Sequence, residues 1–435
     1  MNVAVNAPAP LARLAPALPA LPGGAAWTEL RTRALERLVA LGLPSPRDEA
    51  WKYTNLRVLE RRDLAPAPAR PIDAAALDAA LPTLEGARLV LVDGRLAPGL
   101  TLGVLPAGLR VTPLAAAMER TAPESLAGGI GVPGDAVDQR VRLLNTALLS
   151  DGLHLQVDAP VAEPVHLVHV GTAGAACTRV VVDVAAHAGL TLVEHRVSLG
   201  ETESFAAPVT EIRLQPGARL EHVRVQLAGA RAIVLDDVQA TVERDARYVQ
   251  LAYAFGGQLA RAETRVTLAA PGAHAELHGL FMADGSRQLD QRTLLAHAAP
   301  RTTSVQVFRG VASGRARGVY DGKIVVAPGA AKSESSQSSR NLLLSPQAEI
   351  DARPQLEILT DDVKCAHGAT TGQLDEDMLF YLLTRGIDRA TARGLLTFAF
   401  AEDVIAKLAL PALRRSLEQR VVRGLPDADL IREFV

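Results

Sequence analysis

A chain of 435 residues is too long for one compact core, so two or three domains are expected. It is 48% hydrophobic and 22% charged, the ordinary range of a soluble protein, and a net charge of −2 offers no broad basic surface to a nucleic acid. No apolar run approaches the roughly 20 residues of a membrane span, and aromatics at 3% leave Ala, Val and Leu to fill thin, repetitive cores.

Residues 1–26 are rich in Ala, Pro and Leu. Pro8, Pro10, Pro16, Pro19 and Pro22 break any helical signal segment and Arg13 interrupts it, which predicts a disordered leader. Residues 27–85 read as a helical region. Leu30, Leu35, Leu38 and Leu41 recur at near-helical spacing before Gly42 and Pro44 stop the run. Glu49 to Asn55 carries Trp51 and Tyr53 among charges, an aromatic anchor at a helix start. A third helix is expected near Ile72 to Leu81.

From 86 to 373 the pattern is β-rich. Arg88 to Gly94 reads as a strand running into a turn, and Gln139 to Leu149 as a helix ended by Asp151-Gly152. Beyond 153, short Val/Leu-rich strands alternate with turn residues. Turn-then-strand units recur at Ala188-Gly189, Pro216-Gly217-Ala218, Asp245-Ala246, Pro271-Gly272-Ala273, Pro300-Arg301 and Pro328-Gly329-Ala330, some 27–30 residues apart. A fixed period with a turn at each step points to a β-solenoid; a double-sheet sandwich is the competing all-β arrangement. Ser333 to Ser339 is a polar run, either a linker or a solvated coil of the same solenoid.

From 374 the chain turns helical. Asp375 and Asp388 are capping residues. The second of these helices has Leu395, Leu396, Phe398, Phe400, Val404 and Ile405 on more than one face, so it should be buried on two sides, the second covering surface coming from the solenoid or another protein. Pro411 opens a last, Arg-rich helix.

Catalytic motifs are missing. There is no phosphate loop, nucleophile elbow, HExxH or CxxC. His166 and His169 fall on opposite faces of a strand, while His274 and His278 share a face without an evident third ligand. The chemistry concentrates in Asp361 to Gly372. Cys365 and His367, two apart in an extended chain, point to one side and combine a soft with a borderline metal ligand. Asp361 and Asp362 should raise the thiol's pKa by like charge. The chain has two cysteines, Cys177 and Cys365, too few for a four-thiolate cluster and consistent with a reducing cytoplasm.

An ordered set of motifs runs over most of the chain. It comprises Glu49-Ala-Trp-Lys-Tyr-Thr54, Leu144-Asn-Thr-Ala-Leu148 with Asp151-Gly152, Glu163-Pro-Val-His-Leu-Val-His169, Asn341-Leu-Leu-Leu-Ser345, Pro354-Gln-Leu-Glu-Ile358, Asp361 to Thr370, Leu379-Phe-Tyr-Leu382 and Arg385-Gly-Ile387. Together they resemble the SufD subunits of the SUF iron–sulfur cluster assembly scaffold. His367-Gly-Ala-Thr370, in place of His-Glu-Ala-Thr, and the absence of further cysteines upstream beyond Cys177 favour this type over the paralogous SufB type. The resemblance implies a right-handed parallel β-helix between N- and C-terminal helical regions. It implies pairing with SufB through the β-helix and with the SufC ATPase through an ATPase-docking domain at 374–435. It implies a non-catalytic scaffold role, with a transient iron–sulfur cluster at the SufB–SufD interface held from this side by His367 and Cys365. A SufB-like subunit is the alternative within the system; a polysaccharide-active β-helix enzyme is the alternative outside it. Reduced flavin accompanies such complexes, and nothing in the sequence marks a site for it.

Overall fold

The computed structural model describes Leu11 and residues 14–425, save 63, 68, 69, 83, 133–137, 201 and 202. Its centre is a parallel β-solenoid of two facing sheets. One has ten strands and runs from Arg95–Leu96 and Ala87–Val92 to Val363–Gly372. The other has eleven and runs from Leu109–Pro113 and Asp151–Val157 to Glu349–Ile358. Their inner faces enclose one long core of Leu, Val and Ala, with Tyr248, Phe281, Phe308 and Tyr320 as its larger members.

The turn repeat has a physical basis. At successive corners the backbone enters the left-handed region at His187, Gly217, Asp245, Gly272, Arg301, Gly329 and Lys332. A fully buried small residue commonly follows, as at Ala188, Ala218, Ala246, Ala273 and Ala330. Pro-Gly and Asp-Ala are the sequence trace of that geometry, and Ala fits where two sheets converge.

Helices cover both outer faces. The helix Ala25–Leu41 buries Trp27, Leu30, Ala34, Leu35 and Leu38 and ends at Gly42, φ 72°. Leu35, Leu38, Trp51 and Leu59 pack with Phe205, Ile233, Leu235 and Leu259 on the eleven-stranded sheet. On the ten-stranded sheet, Val223, Val225, Leu251 and Leu280 pack with Ala401, Val404, Ile405, Leu413 and Leu417 of the helices Arg389–Ile405 and Pro411–Arg423. Of the two candidates for the second covering surface of the first of these helices, the solenoid is the one that packs on it. Asp375 and Asp388 cap as anticipated, each accepting two backbone N–H bonds. No helix among the described residues is long and apolar enough to cross a membrane.

One expectation changes and one open alternative is decided. Residues 15–20 of the expected leader form a 3-10 helix, and Leu14, Leu18 and Leu21 are buried with the N-terminal helices. Prolines at 16 and 19 exclude a long α-helix but are tolerated in a short turn of this kind; residues 1–10, 12 and 13 lie outside the described set. Ser333 to Leu343 is a solenoid strand with alternating burial, not a linker. Ser333, Ser335 and Ser339 face a polar stretch of interior, so a low-complexity composition conceals a regular strand.

Candidate functional site

The motifs in the first half of the chain are fastenings. Asn145 donates through Nδ2 to the carbonyls of Thr178 and Ala207, both at 2.7 Å, and accepts from Arg179 at 3.1 Å. Asp151 accepts from the backbone of Leu96, Ala115 and Gly152. Trp51 donates to Asp138 and lies 3.7 Å beneath the Arg261 guanidinium, while Thr54 bonds buried Asp290. Each ties the N-terminal region to the solenoid wall.

The histidines sort by face. His166 and His195 point outward and share a hydrogen bond of 3.0 Å, and burial pushes His195 down to about 3. His169 points inward toward Glu194, a fully buried carboxylate held well below its usual range although burial alone would raise it. Glu194 accepts from Arg196 at 2.8 Å, Thr210 at 3.0 Å and His222 at 3.1 Å. This charge cluster inside the solenoid is invisible to a motif search. Glu276 also went unnoticed: it sits between His274 and His278 on one face, 3.0 Å from the Nε2 of each, and is pulled down to about 2. The i, i+2, i+4 spacing was the available signal.

Cys177 is buried against the N-terminal helices and its thiol is pushed up to about 12, an inert packing group. Cys365 and His367 lie on the last strand of the ten-stranded sheet, Val363–Gly372, whose only partner is Ser333–Leu343. Cys365 is half-buried. His367 and the residues after it are exposed. Burial, not the neighbouring aspartates, raises the Cys365 thiol, and a backbone contact from Ser335 pulls the other way. Among the described residues no group of three or more His, Cys, Asp or Glu side chains is arranged to hold a metal. What the seam offers is two ligands on one side of a strand.

Register shows what lies behind them. Parallel pairing without bulges stacks residues into columns. Ser304, Ser335 and Cys365 form one; Gln306, Gln337 and His367 form the next. The first is linked by Ser304 Oγ to Ser335 Oγ at 2.7 Å. In the second, Gln337 Nε2 donates to the Tyr320 hydroxyl at 2.9 Å. The interior thus turns from aliphatic to hydroxyl- and amide-lined as it nears its last coil. In the facing sheet the last strand, Glu349–Ile358, also has one free edge, with Ile358 and Leu359 exposed beside it. Among the described residues no strand pairs with the outer edge of either closing strand, so two unpaired edges and the Cys365–His367 face open at one end of the solenoid.

Comparison with known proteins agrees with this architecture. Residues 167–400 match the family model "SUF system FeS cluster assembly, SufBD core domain", and residues 24–166 match "SufBD protein N-terminal region". The chain is 31% identical over 402 residues to the iron–sulfur cluster assembly protein SufD of Escherichia coli, covering 90% of this chain and 92% of that one. It is 30% identical to an iron–sulfur cluster assembly SufBD family protein of Synechocystis, covering 90% and 89%. It is 29% identical to a SufBD family protein of Mycobacterium tuberculosis, covering 94% and 96%. The chain belongs to the SufBD family of iron–sulfur cluster assembly proteins and is SufD-like within it.

Proposed function

We propose that this chain is a scaffold subunit of the SUF system, pairing with SufB through the open end of its solenoid and with the SufC ATPase through its C-terminal helices. The nascent iron–sulfur cluster is its cargo, held between subunits by His367 and Cys365 from this side. The observation that carries the reading is the incomplete site. Two ligands stand on the inward face of a terminal strand, beside two free strand edges that need a partner. A cluster with too few ligands in one chain is completed by another.

The ATPase surface is supported by the helix Glu376–Thr384. Met378, Phe380 and Tyr381 are exposed there at 57%, 67% and 57%, a density of bare apolar side chains that single surface residues do not explain. With no phosphate loop of its own, the chain would receive ATP-driven motion from the partner. We place this work in the reducing cytoplasm, where Cys365 stays a thiol.

The test is co-expression with SufB and SufC. One co-purifying complex is expected, and a chain that stays alone at micromolar concentration contradicts the scaffold role. His367→Ala should leave the complex assembled but impair iron loading; normal loading removes His367 from the site. Truncation after residue 373 should abolish ATPase binding and spare the solenoid.

A further inference from the structure

We propose that Gln337 is the positioning residue for His367: its side-chain carbonyl takes one imidazole N–H, which leaves the other ring nitrogen free to face a metal at the open end of the solenoid. The inference rests on the reading of His367 as half of a shared site and adds a residue that this reading does not use.

Gln337 is 3% exposed and stands directly beneath His367 in the same inward column. The orientation of its amide follows from a chain of one-way bonds that starts at the Gln306 carbonyl. Thr293 donates to Gln306 Oε1 at 2.6 Å, and the Tyr320 hydroxyl donates to the same oxygen at 3.3 Å. A carbonyl can only accept, so the Tyr320 proton is committed and its oxygen accepts from Gln337 Nε2. Burial raises the Tyr320 pKa far above neutrality, so that proton stays. Gly322 leaves space for this arrangement, since a Cβ there would lie 2.1 Å from Gln337 Nε2.

With its NH2 group engaged below, Gln337 holds Oε1 as the free end. That atom is buried and has no hydrogen-bond partner. An unmet buried acceptor is costly, and the next side chain in the column is His367. A histidine that ligates through one nitrogen is oriented by a bond from its other N–H, and the acceptor selects the tautomer. An acceptor-only group under an exposed imidazole is the arrangement such a ligand requires.

The experiment is anaerobic titration with ferrous iron alone of the chain co-purified with its partner subunits, for wild type, Gln337→Leu, Gln337→Glu and His367→Ala. Gln337→Leu removes the acceptor at similar volume and should weaken binding about 10- to 100-fold. Gln337→Glu keeps an acceptor but loses the donor to Tyr320, so affinity should stay near wild type; a role limited to holding Tyr320 predicts that this variant fails as badly as the leucine. Wild-type affinity in Gln337→Leu, with binding lost in His367→Ala, overturns the inference and leaves the site intact. Wild-type affinity in His367→Ala overturns the site itself. If Gln337→Leu does not assemble, Gln337→Glu decides alone: retained affinity supports the inference and a loss as deep as His367→Ala refutes it.

Discussion

His297 gives the solenoid a pH dependence whose size can be worked out. It faces inward, is 0% exposed, and bonds only hydroxyls: Thr302 Oγ1 to Nδ1 at 2.7 Å and Ser304 Oγ to Nε2 at 2.9 Å. No carboxylate compensates an imidazolium there, so burial pushes its pKa from 6.5 down to about 4. The folded pKa is depressed. The folded chain therefore keeps the ring neutral while the unfolded chain takes up a proton below pH 6.5. The unfolded state binds more protons in that window, so stability rises with pH across it. The contribution is fully present above pH 6.5 and is lost as pH falls toward 4. A gap of roughly 2.5 units is worth about 3 kcal/mol at pH 4 and about 2 kcal/mol at pH 5. His297→Gln removes this titration and leaves the other histidines to cancel in the comparison. Urea unfolding at pH 7, 6 and 5, followed by circular dichroism, should show the difference between the two chains change by about 2 kcal/mol in favour of the variant. An offset that stays constant across those pH values refutes the reasoning.

Glu194→Ala strips Arg196 and His222 of their buried acceptor and should cost about 3–5 kcal/mol, read from the urea midpoint at pH 7. Trp51→Ala removes the platform under Arg261 and the bond to Asp138. It should cost about 3–5 kcal/mol, with limited proteolysis cutting the N-terminal region first while the solenoid strands keep their hydrogen-exchange protection. Gly322→Ala puts a methyl group against Gln337 Nε2 and the Tyr320 hydroxyl. It should destabilise by about 1–3 kcal/mol and weaken ferrous binding in the assembled complex, whereas Gly99→Ala, with open space around its Cβ and no left-handed backbone, leaves that binding unchanged.

The solenoid was legible because its period is physical. Each corner needs a left-handed residue and then a small buried one, and both leave marks every 27–30 residues. The capped C-terminal helices were legible for the same reason, since Asp375 and Asp388 each announce a helix start. Two things were hidden. The 15–20 turn is short and proline-bearing, so no periodicity marks it, and only its contact with Leu35 and Trp51 orders it. The support behind His367 was hidden because Gln306, Gln337 and His367 are 31 and 30 residues apart and meet only when the strands stack without a bulge. Cys365 and His367 stood out as a pair because an i, i+2 spacing is local; a column is a property of register, which a linear reading lacks.

The two ends of the solenoid are built differently, and the difference supports the shared-site reading. At the first end, antiparallel partners close the sheets: Arg95–Leu96 turns back on Ala87–Val92, and Leu109–Pro113 runs against Asp151–Val157. At the last end no such strand is added among the described residues. Free parallel edges over an aliphatic interior would bind any exposed strand in reach. Here the inward residues of the penultimate strand are Ser333, Ser335, Gln337, Ser339 and Asn341. A hydroxyl- and amide-lined end loses less by standing open to water than an aliphatic one, yet its backbone edges still reward a partner that pairs with them. The same polar lining supplies what an aliphatic one could not, a fixed acceptor beneath His367. On the proposed reading, the run of serines reconciles an open end with a ligand held in place.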